Sequence, residues 1–61
     1  MEEIKILIIE DEKPIADILE YDLSGEGFRV NCAYTGAQGM LAAEEFRPQL
    51  VLLDWMLPDI S

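Results

Sequence analysis

Leu50-Val51-Leu52-Leu53-Asp54-Trp55-Met56-Leu57-Pro58 is an uninterrupted apolar run, then one carboxylate, then a short apolar loop closed by proline. A run this short and this bounded reads as a strand buried on both faces, the kind found inside a parallel sheet covered by helices. Such a strand carries Asp54 to its carboxyl end, where open α/β sheets place their chemistry. The other strongly apolar stretch, Ile4-Lys5-Ile6-Leu7-Ile8-Ile9, is rich in β-branched residues and runs into Glu10-Asp11-Glu12. Both strands therefore end in acid.

The chain between them alternates helix and strand signals. Pro14 suits the first turn of a helix over about 14–25, with Asp11 or Glu12 as a candidate cap. Ile15, Ile18, Leu19 and Leu23 fall at helical spacing, and Asp17, Glu20 and Asp22 lie largely opposite. Gly27 breaks the chain before a strand over about 28–33, in which Phe28, Val30 and Cys32 alternate with polar partners. That alternation predicts one buried and one wetter face, as at a sheet edge, with Cys32 a small core residue rather than a reactive thiol. Thr35 is the expected N-cap of a second helix over about 36–46. Its predicted stripe is Ala37, Met40, Leu41 and Phe46, with Met40 as core filler, while Gly36 and Gly39 each weaken it by about 1 kcal/mol relative to Ala. Pro48 stops this helix, and the third strand follows over about 49–54.

The order β-α-β-α-β predicts an α/β unit with a parallel sheet and helices for its faces. If the two most apolar strands are neighbours and the amphipathic one lies at the edge, the strand order is 2-1-3. Asp11 and Asp54 then meet at one rim.

Sixty-one residues allow one small domain, which buries only about 60% of its unfolded surface. An apolar fraction of 51% with ordinary Gly and Pro counts argues for a packed core over disorder. Thirteen acidic against four basic residues give a net charge of −9, which disfavours nucleic acid and anionic membranes as partners of this segment and favours cations. A single cysteine permits no internal disulfide, and without histidine there is no Cys/His metal pattern. Glu2 and Glu3 stand where a signal peptide would be basic, and no apolar run reaches membrane-spanning length, so the expected location is the cytoplasm.

Carboxylates gathered at adjacent strand ends repel one another, which raises at least one pKa and is relieved by a divalent cation. Oxygen-only ligands favour magnesium, manganese or calcium over zinc. An aspartate beside such an ion can act as a nucleophile toward a phosphoryl group. The plain alternative is that these acids are helix caps and solvated loop residues.

Ile6-Leu7-Ile8-Ile9-Glu10-Asp11-Glu12 with Pro14, and Pro48-Gln49-Leu50-Val51-Leu52-Leu53-Asp54-Trp55-Met56-Leu57-Pro58-Asp59-Ile60-Ser61, resemble the first and third strands of the receiver domain of bacterial two-component response regulators. Asp54 to Pro58 is especially similar to the subfamily that carries a C-terminal winged-helix DNA-binding domain. The resemblance implies the flavodoxin-like, doubly wound parallel sheet, here truncated after its third strand. It implies Asp54 as phosphoacceptor from a sensor histidine kinase, Asp11 as a direct magnesium ligand, Glu10 as a ligand through water, and the backbone carbonyl of Met56 as the last protein ligand. Glu12 matches no family ligand. Gln49 stands where the family usually has Asp, and Gly39-Met40 where it has an acid and Ala, departures expected to touch helix stability and not the acidic pocket.

Later strands of a receiver domain supply a Ser or Thr and a Lys to the phosphoryl oxygens, whereas the lysines here are Lys5 and Lys13. The chain is thus expected to hold the acidic half of the site, to bind magnesium weakly, to be phosphorylated slowly or not at all, and to be no enzyme in its own right. DNA would be contacted only through a domain outside this sequence. An apolar third strand with an unpaired edge also predicts a homo-oligomer joined at that edge, a structural module in place of a signalling one. A phosphohydrolase of the haloacid dehalogenase type fits poorly, since it needs a second Asp where Met56 stands.

Overall fold

The computed structural model describes residues 3–54 and Asp59. Three strands, β1 (Lys5–Ile9), β2 (Arg29–Ala33) and β3 (Leu50–Leu53), alternate with α1 (Lys13–Gly25) and α2 (Gly36–Phe46). All pairings are parallel and the order is β2-β1-β3, as the apolar patterning predicts. Ile6 stands opposite Val30 and Leu50, and Ile9 opposite Ala33 and Leu53.

Alternation along β1 divides the core in two. Ile6 and Ile8 point to α1 and bury Ala16, with Leu19, Leu23, Phe28 and Leu52 packed around them. Leu7 and Ile9 point the other way, onto α2, and meet Ala33, Ala42, Ala43 and Phe46. Leu7 and Ile8 are 0% and 1% exposed, each burial contributing about 1.5–3 kcal/mol. The strand buried on both faces is therefore β1, flanked by both neighbours.

For β3 the expectation of two covered faces fails. Leu50 and Leu53 are 50% and 52% exposed, Val51 is also exposed, and only Leu52 is half-buried. The cause is position: β3 has one neighbour, and neither described helix covers it fully.

The helix stripes shift as well. On α1 the buried residue is Ala16, whereas Ile15 and Ile18 are exposed. On α2, Ala37 and Leu41 are exposed and Met40, at 75% exposure, is no core filler, while Gly36 and Gly39 are buried. Small residues let both helices approach the bulky side chains of β1. A Cβ on Gly39 would overlap Ile9 Cδ1 and lie 2.8 Å from its Cγ1. Glycine here is a packing requirement, not only a weak helix former.

Helix ends follow local chemistry. Gly27, at φ 96°, takes the left-handed turn after α1, and Arg47, at φ 52°, does so after α2 before Pro48. At the foot of the sheet Lys5 Nζ and Arg29 Cζ lie 5.6 and 5.8 Å from the Phe46 ring centre, tying β1, β2 and α2 together by cation–π contacts. There Gln49 donates its N–H to the Lys5 carbonyl (2.9 Å) and accepts the Lys5 N–H on Oε1 (2.8 Å). Its departure from the family pattern therefore acts on the start of the β1–β3 ladder and not on a helix.

Candidate metal and phosphoacceptor site

The strands deliver the acids to one rim. Past the end of β1, the Glu10 N–H donates to the Ala33 carbonyl of β2 (3.0 Å); past β3, the Asp54 N–H donates to the Ile9 carbonyl (2.8 Å). Glu10 and Asp54 thus stand side by side, one residue beyond paired strands. The Glu12 N–H donates to Glu10 Oε1 (3.1 Å) and folds that carboxylate over the rim.

Glu10, Asp11 and Asp54 each bring a carboxylate oxygen within 4.8 Å of the others. Their mutual effect shows in Glu10. The Glu12 amide pulls its pKa down, yet desolvation and the Asp54 and Asp11 carboxylates outweigh it, and the net shift is upward. A site that resists losing its last proton, with oxygen ligands only, fits a hard divalent cation. Glu10 and Asp54 also line a hollow of about 170 Å³ floored by Leu19, Leu52 and Leu53. A larger hollow of about 610 Å³ is lined by residues of α1 alone and brings no second element to bear.

The capping alternative accounts for little of this. Glu12 occupies the N-cap position of α1 through its carbonyl, which accepts from Ile15 and Ala16 (both 3.1 Å), but its side chain makes no capping bond. Asp11 is exposed beside it. Thr35 does cap α2, accepting the Gln38 N–H on Oγ1 (3.0 Å), while Gln38 Oε1 accepts the Tyr34 N–H (3.1 Å). Met56, expected to lend a carbonyl to the metal, lies outside the described residues.

One contact has no counterpart in the sequence reading. Asp59 accepts the Gly36 N–H on Oδ1 (2.6 Å) and the Ala37 N–H on Oδ2 (2.9 Å), and these bonds hold its pKa below the usual aspartate value. The partners are backbone amides more than twenty positions upstream, so no local spacing signals the pairing. Cys32 has no part in the rim. Its Sγ donates to Glu20 Oε2 (3.1 Å), and burial followed by that carboxylate pushes the thiol up to about 12.

Residues 6–61 match the family model described as the response regulator receiver domain. The chain belongs to that family. Receiver domains are phosphoacceptor modules of two-component signal transduction and bind Mg2+ through acidic residues, and the rim of this one places Glu10, Asp11 and Asp54 together. Among the described residues of this receiver domain, no helix is long and apolar enough to cross a membrane.

Proposed function

We propose that Asp54 is the phosphoacceptor and that a sensor histidine kinase is its donor. A carboxylate oxygen of Asp54 attacks phosphorus, the bond from phosphorus to the donor imidazole nitrogen breaks, and an acyl phosphate results. Asp11 would hold Mg2+ directly, with Glu10 acting through water and the Met56 carbonyl as the last protein ligand. Bound there, the ion would neutralise charge on the transferring group. Glu10 contributes a carboxylate beside Asp54, and a cation there would relieve the repulsion between them. The observation that carries this reading is the convergence of the three carboxylates within 4.8 Å beyond two paired strands.

In this proposal the chain is a cytoplasmic module of a transcriptional regulator of the winged-helix type, not an enzyme by itself. Its charge of −9 leaves DNA contact to another domain. Lys5 stands at the foot of the sheet, and Lys13 Nζ lies 3.5 Å from Asp17 Oδ2, so neither is assigned to a phosphoryl oxygen. The measurable consequence of the proposal is a single phosphoryl group on Asp54. Incubation with acetyl phosphate and Mg2+ followed by intact mass measurement tests this: partial addition of one phosphoryl group to the wild type and none to Asp54→Ala is expected. Equal modification of Asp54→Ala would overturn the assignment.

A second reading is favoured by the exposed Leu50, Val51 and Leu53 on the edge of β3 that faces no described strand. Two copies joined there would form a self-associating structural module.

A further inference from the structure

We propose that the foot of the sheet is a binding site for a phosphate group, with Lys5, Arg29 and Gln49 as its donors. Lys5 stands opposite Arg29 in the β1–β2 register, so two like charges meet at the opening pair of neighbouring strands. Such a pair repels. Among the described residues the one ion pair is Lys13–Asp17, on α1, so no described carboxylate within salt-bridge reach relieves that repulsion. Phe46 holds both cations by cation–π contact, which fixes their place and leaves their charge uncompensated.

The same residues enclose a space. Lys5, Arg29, Gln49 and Glu3 line a hollow of about 250 Å³. Gln49 is held there from both sides, its N–H on the Lys5 carbonyl and its Oε1 on the Lys5 N–H. With Oε1 engaged, Nε2 keeps two protons and has no acceptor among the described residues. Ammonium, guanidinium and amide thus offer donors to one small volume, and the planar fork of Arg29 suits two oxygens of a single phosphate. The acid in the lining is Glu3, which is exposed and forms no ion pair with either cation. It works against an anion and lowers the affinity of the hollow.

Charge selects the size of the ligand. At −9, the chain repels an acidic protein, a second copy included, whereas a small ion reaches the foot and meets two cations at once. The site lies at the opposite end of β1 from Glu10 and needs nothing from the rim.

The test follows the backbone amide shifts of Lys5, Arg29 and Gln49 by NMR without divalent ions. Inorganic phosphate and, separately, phenyl phosphate replace chloride at constant ionic strength and about pH 8, where both are dianions. Saturable shifts at the foot and none at the rim are expected; saturation by inorganic phosphate alone assigns the free ion, and by both, the phosphate group in general. Gln49→Glu keeps an acceptor for the Lys5 N–H but sets a carboxylate in the hollow, and it is expected to abolish binding. Glu3→Gln should bind about twofold tighter, and Arg29→Gln about tenfold more weakly. Arg29→Gln also loses a clamp contact, so Gln49→Glu and Glu3→Gln decide the matter if it unfolds. Shifts no larger than those in chloride overturn the site, as does wild-type affinity in Gln49→Glu.

Discussion

Gly39 of α2 lies against Ile9 of β1 with no room for a side chain: an added Cβ would overlap Ile9 Cδ1 and sit 3.1 Å from Cγ2. Rotating Ile9 about χ2 moves Cδ1 away but leaves Cγ1, at 2.8 Å, and Cγ2 in place, and rotating about χ1 brings another branch of the side chain or opens a gap on the strand's other contacts. Gly39→Ala gains about 1 kcal/mol of helix propensity and loses about 1–3 kcal/mol to overpacking. The expected outcome is a net loss of stability in urea unfolding, with Ile9→Val restoring part of it in the double variant. A more stable Gly39→Ala would mean that the two elements separate at little cost.

Glu10, beside Asp54, carries a pH response of the rim. The folded state raises the Glu10 pKa, so its contribution to stability is full below the unfolded glutamate value and disappears as pH rises through the raised one. Without divalent ions, Asp54→Asn should therefore unfold at a higher temperature than wild type at neutral pH. Mg2+ should stabilise the wild type more than the variant. A wild type unmoved by Mg2+ in a thermal melt contradicts this.

Asp59 has the opposite sign. Its pKa is depressed first by the Gly36 amide and then by the Ala37 amide, so its contribution is present above the unfolded aspartate value and is lost as pH falls through the folded one. Asp59→Asn should flatten the acid limb of the stability curve and leave unchanged the loss that Glu10 brings as pH rises. Chemical denaturation at several pH values reads both limbs at once.

Cys32, with its thiol pushed up to about 12, is nearly all protonated at pH 8. Its reaction with a disulfide reagent should be slower than that of a small free thiol by roughly two to three orders of magnitude. Glu20→Gln removes the carboxylate that accepts from Sγ and should speed the reaction without exposing the core. Wild-type labelling at the rate of a free thiol would show that β2 opens readily.

Leu53→Lys places a charge on the exposed flank of β3, where the side chain is 52% accessible. Sedimentation equilibrium should shift toward monomer while the circular dichroism stays unchanged. A wild type that is monomeric at micromolar concentration removes the self-association reading altogether.

Strand order was legible because Ile6 to Ile9 and Leu50 to Leu53 are apolar without a break while β2 alternates, which sets β1 beside β3 and β2 at the edge. Asp11 and Asp54 could be placed at one rim for the same reason. Leu19, Leu23 and Phe46 pack on the core as predicted, but the rest of the helix stripes were misread because hydrophobicity favours Ile15, Ile18 and Met40, whereas the contacts with β1 select small residues: Ala16, Gly39, Ala42 and Ala43. Large β1 side chains fill the space, and the helix must yield it. Asp59 carried no local signal, since backbone amides of any sequence can be its partners.

Lys5 and Arg29 around Phe46 give the sheet a cationic foot, while its head carries the three clustered acids. Whatever binds at the rim meets the open end of the strands, while the Phe46 clamp holds β1 and β2 to α2 at the opposite end.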